Sequence, residues 1–272
     1  MDIRKKIKNV NKLYAPYRKW STKAPSHEEG VIIGADLTQE WILPWWWHHY
    51  KKFNQYPVTC IDFGMSDDAK LWCQAHGELI RLPVADIFVT EKNAIASPST
   101  YIWENTYGKD FWIQRNGWFK KPLACLLSPY YKSIWLDLDC EIRGSLGKVF
   151  AYADPPSGIA LAKDIHDPIG HQKGYNSGVI AFKHGIPLIE TWASEAFKSN
   201  HLYAGDQDIL TKIIFEENIT ITQLPLIYNW SRCSGESPDA LIYHWHGRHG
   251  KTVIANQCAK MTALSTAGNS QG

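Results

Sequence analysis

Apolar residues along this chain gather in short unbroken runs, each closed by a glycine, an aspartate or a turn. Val31 to Gly34, Val58 to Gly64, Glu78 to Leu82, Ser133 to Leu138, Ile159 to Ala162, Val179 to Phe182, Ile219 to Leu224 and Leu241 to Gly247 are of this kind. Runs so short and so rich in β-branched residues read as strands buried on both faces. Segments of helical character separate them: Glu40 to Phe53, Asp67 to Ala75, Trp118 to Leu127, Leu146 to Tyr152, Pro187 to Lys198 and Asp206 to Glu217. Pro44 stands near the first turn of its helix, where proline is tolerated, and Ser66 is placed to cap the next. Strand, loop and helix in repeated order predict an α/β fold, in which ligands collect at the carboxyl ends of the strands.

Other stretches carry less pattern. Residues 83–117 are polar and aromatic, punctuated by Pro98, Gly108 and Gly117, and read as an insertion or loop. Residues 163–174 read as a His-, Gly- and Pro-containing loop, and Tyr175 to Gly178 as a turn feeding the Val179 strand. Residues 1–29 form a basic arm, in which Ile3, Ile7, Val10, Leu13, Tyr14 and Tyr17 recur at helical spacing beside a cationic face. Such an arm suits peripheral contact with an anionic membrane; its other reading is packing on the domain with its charges in water. From Thr252 the chain turns small and polar and reads as a frayed tail. The organisation expected is an arm at 1–29, one domain at 30–252 and a tail at 253–272.

Composition narrows the function classes. The 272 residues, 44% hydrophobic and 21% charged, suffice for one large core, and a formal charge of +2 argues against nucleic acid as a partner. The 13 tryptophans lean towards a ring-stacking ligand such as a sugar or nucleotide. Six scattered cysteines form neither a zinc pattern nor a disulfide framework. No leader-like segment and no apolar run of about 18 residues is found, so a cytoplasmic setting is expected, with membrane association only through the arm.

The chemistry centres on Ser133 to Gly144, where an apolar run delivers Asp137 and Asp139 to its end. In a strand, residues two apart share a side, so the two carboxylates would converge. Like charges so close call for a cation, and oxygen ligands suit Mg²⁺ or Mn²⁺. With 15 aspartates in the chain, roughly one Asp-x-Asp arises by chance, and a second one occurs at Asp206-Gln207-Asp208. Spacing alone is therefore compatible with a solvated turn. The buried context raises its significance, since few buried strands end in two carboxylates without a use for them.

Four stretches in order, Trp135-Leu136-Asp137-Leu138-Asp139, Tyr175-Asn176-Ser177-Gly178-Val179, Gly205-Asp206-Gln207-Asp208-Ile209-Leu210 and His244-Trp245-His246-Gly247, resemble the GT-A nucleotide-sugar glycosyltransferases, most closely the family 8-like retaining enzymes. The similarity covers residues 30–252. It implies a single Rossmann-like α/β domain with a mixed, mostly parallel central sheet flanked by helices, a UDP-sugar donor and a Mn²⁺ cofactor, with Mg²⁺ the alternative.

Carried across, the resemblance makes Asp137, Asp139 and His244 the metal ligands. Ala35, Asp36, Lys121, Asn176, Ser177, Gly178, Gly247 and Lys251, with the two aspartates, become the donor-binding set, and Asp206 and Gln207 the residues at the reacting sugar. Lys251 stands one residue beyond the family's His-x-x-Gly-x-x-Lys spacing, so His246 or His249 competes for a part in the site. Asp36 reads equally as a cap, and Asp208 as a helix N-terminal charge. The reaction implied is hexosyl transfer to a glycan, lipid or protein acceptor. Because Gln207 is a poor nucleophile, attack assisted by the leaving phosphate on the same face is favoured. The alternatives are a sugar-nucleotide nucleotidyltransferase, whose glycine-rich basic loop is missing after Gly34, and an inactive carbohydrate- or nucleotide-binding relative.

Overall fold

The structure is a computed structural model. It describes residues 23–82, 88–154, 156–165 and 174–269. The expected helical arm at the N-terminus and most of the 163–174 loop lie outside the described residues.

The predicted strands all form, with shifted ends. In chain order they are β1 (His27–Ala35), β2 (Val58–Asp62), β3 (Glu78–Arg81), β4 (Tyr130–Leu136), β5 (Cys140–Ile142), β6 (Ile159–Lys163), β7 (Tyr175–Lys183), β8 (Thr222–Gln223), β9 (Trp230–Ser231) and β10 (Ile242–His244). Seven make a sheet of order β3-β2-β1-β4-β7-β6-β8; β5, β10 and β9 make a small second sheet. Strands β3, β2, β1 and β4 are mutually parallel, and β7 runs antiparallel to both β4 and β6.

Strict alternation explains why the strands read as unbroken apolar runs. Val31 and Ile33 of β1, Ile134 and Leu136 of β4, and Val179 and Ala181 of β7 enter one core. Ile32, Trp135, Ile180 and Phe182 enter the other. Both faces are thus covered, as a largely parallel sheet requires. The first face packs on α1 (Leu43–Tyr50), α2 (Asp67–His76) and α5 (Gly147–Ala151); the second on α4 (Phe111–Leu126), α6 (Pro187–Ser199) and α7 (Asp206–Glu216). Ser66 caps α2 as expected, its Oγ accepting from Ala69 N–H at 3.2 Å.

Three expectations are corrected. Residues 83–117 are largely helical where described: α3 spans Ser97–Tyr107, and α4 begins at Phe111 rather than Trp118. Pro98 opens α3, Gly108 closes it at φ +81°, and Gly117 lies inside α4, so all three serve helices. Their packing is aromatic: Trp103 and Phe111 form a small core with Trp112 and Trp118 against it. The buried Arg115 pins it, donating to the carbonyls of Thr90, Asn200 and Tyr203.

Secondly, Lys120 and Lys121, which a helix starting at Trp118 would carry in its first turn, are buried mid-helix. Thirdly, the chain beyond Thr252 belongs to α8 (Gly247–Asn269), whose Ile254 is fully buried and whose Gln257 Oε1 accepts from Trp45 Nε1 at 2.7 Å. Among the described residues no helix is long and apolar enough to cross a membrane.

Candidate active site

Parallel strands β1, β2 and β4 deliver Asp36, Asp62 and Asp137 at or just beyond their carboxyl ends, along one edge of the sheet. The Asp137–Asp139 stretch is not strand, contrary to expectation. β4 stops at Leu136, and a tight turn follows, closed by Cys140 N–H donating to Asp137 C=O at 3.0 Å. The chain then enters the second sheet as β5, which pairs Cys140 with His244 on β10. That pairing, not strand alternation, sets His244 beside the two aspartates.

His244 is 4% exposed. Its Nε2 lies 3.2 Å from Asp139 Oδ1 and 3.9 Å from Asp137 Oδ2. Its Nδ1 meets Asn229 Oδ1 at 3.0 Å. An amide oxygen only accepts, so Nδ1 carries the proton and Nε2 presents either a lone pair or a second proton to the carboxylates. A lone pair facing a carboxylate at this distance is repulsive unless a cation lies between them. Two ligand atoms at right angles, each about 2.1 Å from a cation, stand roughly 3 Å apart, so Asp139 and His244 fit one hard divalent ion. Burial pushes the Asp139 carboxyl up, but the His244 hydrogen bond and the charges of His244, Lys251 and His246 outweigh it and hold it well below the ordinary range.

Among the described residues, Asp139, Cys140 and His244 form a group whose potential ligand atoms all lie within 4.8 Å of one another. Cys140 is the less suitable donor. Burial pushes its thiol well up, so it stays protonated, with Sγ turned to Gly178 C=O at 3.7 Å. His246, the competing histidine, is committed elsewhere: Nε2 meets Ser231 Oγ at 2.7 Å, and its carbonyl accepts from Arg232 Nε.

The second half of the site is built on a bulge. β6 advances one residue from Leu161 to Ala162 while its partner β7 runs from Ile180 back to Asn176. The released backbone of Ser177 and Gly178 is satisfied by site residues. Ser177 N–H donates to Gln207 Oε1 at 3.0 Å, Gly178 N–H to Asn176 Oδ1 at 2.9 Å, and Asp137 N–H to Gly178 C=O at 2.8 Å. Tyr175 to Gly178, read from sequence as a turn, is therefore strand with a bulge in it.

Lys121 reaches this bulge from α4. Its ammonium contacts Asp137 Oδ1 at 3.0 Å, Ser177 Oγ at 3.0 Å, Ser177 C=O at 3.2 Å and Asp206 Oδ2 at 3.5 Å. Burial alone would lower its pKa, but Asp137 and Asp206 carry it upwards, so it stays charged. One cation thus serves two carboxylates, and Asp137 has the shorter contact. Asp206, buried at the first residue of α7, is lifted by burial to about 6, with Lys121 only partly opposing, although Ser177 Oγ donates to it at 3.0 Å. Gln207 is held at both ends, with its Nε2 donating to Asp164 Oδ2 at 2.7 Å. Asp208 lies in the first turn of α7, as its reading as a helix N-terminal charge requires, and also accepts from Gly205 N–H at 3.0 Å.

A cleft opens beside Asp137 and Asp139. Its lining includes Asp36, Phe63, Gln114, Trp118, Trp135 and Lys251. Asp36 spends Oδ1 on a turn, accepting from Thr38 N–H at 2.9 Å and Thr38 Oγ at 2.6 Å. A Cβ placed on Gly117 would stand 3.4 Å from Asp36 Oδ2, an ordinary contact distance, so α4 runs beside Asp36 at the cleft. Ala35 ends β1 and is buried, its carbonyl accepting from Phe63 N–H at 2.9 Å. Lys251 lies one turn into α8 and lines the cleft. Gly247 does not line it; with φ +79° it starts α8, and a Cβ there would meet Arg232 Nη2 at 3.5 Å.

Three participants were not among the site residues expected from sequence. Trp135 Nε1 donates to Asp137 Oδ1 at 2.8 Å, Asp164 holds Gln207, and Asn229 holds His244. Of these only Trp135 lay inside a stretch marked by its pattern.

No family model matches the chain, and no curated protein matches it. Among solved structures, the galactosyltransferase LgtC in complex with donor and acceptor sugar analogues superposes with a TM-score of 0.53 at 12% identity, covering 85% of this chain and 95% of that one. An active-site mutant of LgtC superposes with a TM-score of 0.51 at 13% identity, over 84% and 95%. The likeness is one of fold: the mixed seven-stranded sheet flanked by helices is the GT-A glycosyltransferase arrangement.

Proposed function

We propose that this protein is a metal-dependent glycosyltransferase, moving a hexose-type sugar from a UDP-sugar to a hydroxyl of a glycan, lipid or protein acceptor with retention at the anomeric carbon. One observation carries the reading: the Nε2 edge of a buried histidine is aimed between two aspartates at the carboxyl end of a parallel sheet, beside an open cleft. Asp137, Asp139 and His244 would hold Mn²⁺ or Mg²⁺, which supplies Lewis-acid stabilisation of a diphosphate leaving group.

The remaining chemistry belongs to the chain's own residues. Transfer breaks the bond from the anomeric carbon to the diphosphate oxygen and forms one to the acceptor oxygen, and positive charge builds on the sugar ring. Asp206, buried and fixed by Lys121 and Ser177, offers a hydrogen-bonding carboxyl to sugar hydroxyls. Gln207 is tied to Ser177 and Asp164, which suits a group that shapes the sugar's face and does not attack it. With no strong nucleophile there, same-face attack by the acceptor, its proton passing to the departing diphosphate, accounts for retention. Lys251 borders the cleft with Asp139 and would meet the diphosphate, while Asp36 and Trp118, which line the same cleft, would meet uridine and acceptor.

The test is turnover with a panel of UDP-sugars and Mn²⁺, following UDP release with and without simple sugar acceptors. Release that stops on chelation and falls at least about 100-fold in Asp139→Ala is expected. If no donor is turned over and no metal-dependent UDP binding occurs, the reading fails.

A further inference from the structure

A chain of hydrogen bonds behind the metal-facing edge of His244 begins at a group whose polarity is fixed. Gly178 N–H can only donate, so the Asn176 atom 2.9 Å away is its amide oxygen. The Asn229 atom 2.8 Å from that oxygen must then be the amide nitrogen. This turns the Asn229 oxygen to His244, 3.0 Å from Nδ1, and obliges Nδ1 to carry the proton. Asn229 and His244 are buried, so water does not replace these partners. The same Gly178 accepts from Asp137 N–H through its carbonyl at 2.8 Å. Both ligand-bearing segments, the turn after β4 and the end of β10, are therefore keyed to one residue of the β7 bulge.

We infer that Asn229 and Asn176 are positioning residues that lock His244 in the tautomer with the proton on Nδ1, leaving Nε2 as the electron-pair donor to a divalent cation shared with Asp139. This rests on the metal reading proposed above, and it gives Asn176 a use other than donor binding for its side-chain oxygen. A histidine ligand whose other ring nitrogen donates to a fixed acceptor is oriented and made more basic; losing such a partner weakens metal binding by about 10–100-fold.

Two measurements on the full-length protein test it. Nitrogen NMR of the metal-free protein, labelled in histidine and held in mildly alkaline buffer, is expected to show the His244 proton on Nδ1. Manganese titration followed by electron paramagnetic resonance is expected to show binding weakened about 10–100-fold in Asn229→Leu. Asn229→Asp keeps an acceptor for Nδ1 but sets its second oxygen against Asn176 Oδ1, so it should retain the Nδ1 proton and regain part of that loss. A merely structural asparagine would not produce this rescue.

A proton on Nε2 in the wild type, or wild-type manganese affinity in Asn229→Leu, would overturn the inference. An Nδ1 proton in a wild-type protein that binds no manganese would instead overturn the metal reading and leave the tautomer lock standing. Should Asn229→Leu fail to fold, the wild-type spectrum and the Asp variant still decide.

Discussion

Replacing Gly178 by alanine should displace His244 and thereby separate metal binding from the aspartates that share it. A Cβ at this position would lie 2.6 Å from His244 Nδ1, and closer still to Cε1, where non-bonded heavy atoms want about 3.5 Å. The imidazole has nowhere to yield. Its Nδ1 is 3.0 Å from Asn229 Oδ1, its Nε2 is 3.2 Å from Asp139 Oδ1, and the His246 ring stands 5.2 Å away. Moving the ring by roughly 1 Å relieves the clash but breaks the Asn229 bond. Overpacking of this kind costs about 1–3 kcal/mol, and the lost hydrogen bond about 1 kcal/mol. At roughly 2–4 °C per kcal/mol for a chain of this size, the melting temperature should fall by roughly 4–16 °C. Manganese affinity should fall by about 10–100-fold, because the ring no longer aims Nε2 at the position Asp139 shares. Thermal unfolding with and without Mn²⁺, together with a direct manganese titration, measures both quantities. Wild-type manganese affinity in a folded Gly178→Ala protein would refute the argument, since it would mean the glycine does not set where the imidazole binds metal.

Two further outcomes are expected. Burial lifts the Asp206 pKa to about 6 in the folded protein from the ordinary aspartate value of 3.8, so the folded state binds the extra proton between those values and stability falls as pH rises through that window, by roughly 3 kcal/mol. Asp206→Asn removes this titration, and the wild-type-minus-variant stability difference, measured by urea unfolding, should slope downwards from about pH 4 to 6; a flat difference refutes it. His244→Ala should abolish manganese binding while His246→Ala, whose Nε2 is engaged by Ser231, only weakens it; equal losses in the two would show that the wrong histidine has been placed at the metal.

Strands were legible because burial on both faces writes them into the sequence as continuous apolar runs, and Val31–Ile33 or Ile134–Leu136 needed no tertiary information to be seen. α3 and the first half of α4 were not legible, because their stability comes from aromatic rings and Arg115 meeting across the fold rather than from an apolar stripe. Proline and glycine there suggested a loop, when Pro98 was a start, Gly108 a stop and Gly117 an interior helix position. Asp137 and Asp139 were found by an argument about strand alternation that does not hold at that position. What brings them into one site with His244 is a turn followed by a pairing between β5 and β10, a contact across about 100 residues that no local pattern encodes. Asn229 follows a short 3-10 turn at Leu226–Tyr228 in a segment without periodicity, so only the folded chain reveals that it faces His244.

The charge arrangement assigns work differently from the motif. By family pattern Lys121 is a donor-binding cation, but its ammonium is enclosed by Asp137, Asp206 and both oxygens of Ser177. Removing it from that cage would strand two carboxylates in a buried site, at a cost of several kcal/mol. In the proposed reaction a leaving diphosphate would therefore draw on a divalent cation that Asp139 and His244 would hold, and on Lys251, the other lysine lining the cleft. Lys251 is carried by α8, which is fastened to the body of the protein by Ile254 in the core and by Gln257 accepting from Trp45. The helix that stands where a frayed tail was expected is thus the support for a charge lining the cleft, and its docking on α1 sets how far that charge stands from the Asp139 carboxylate.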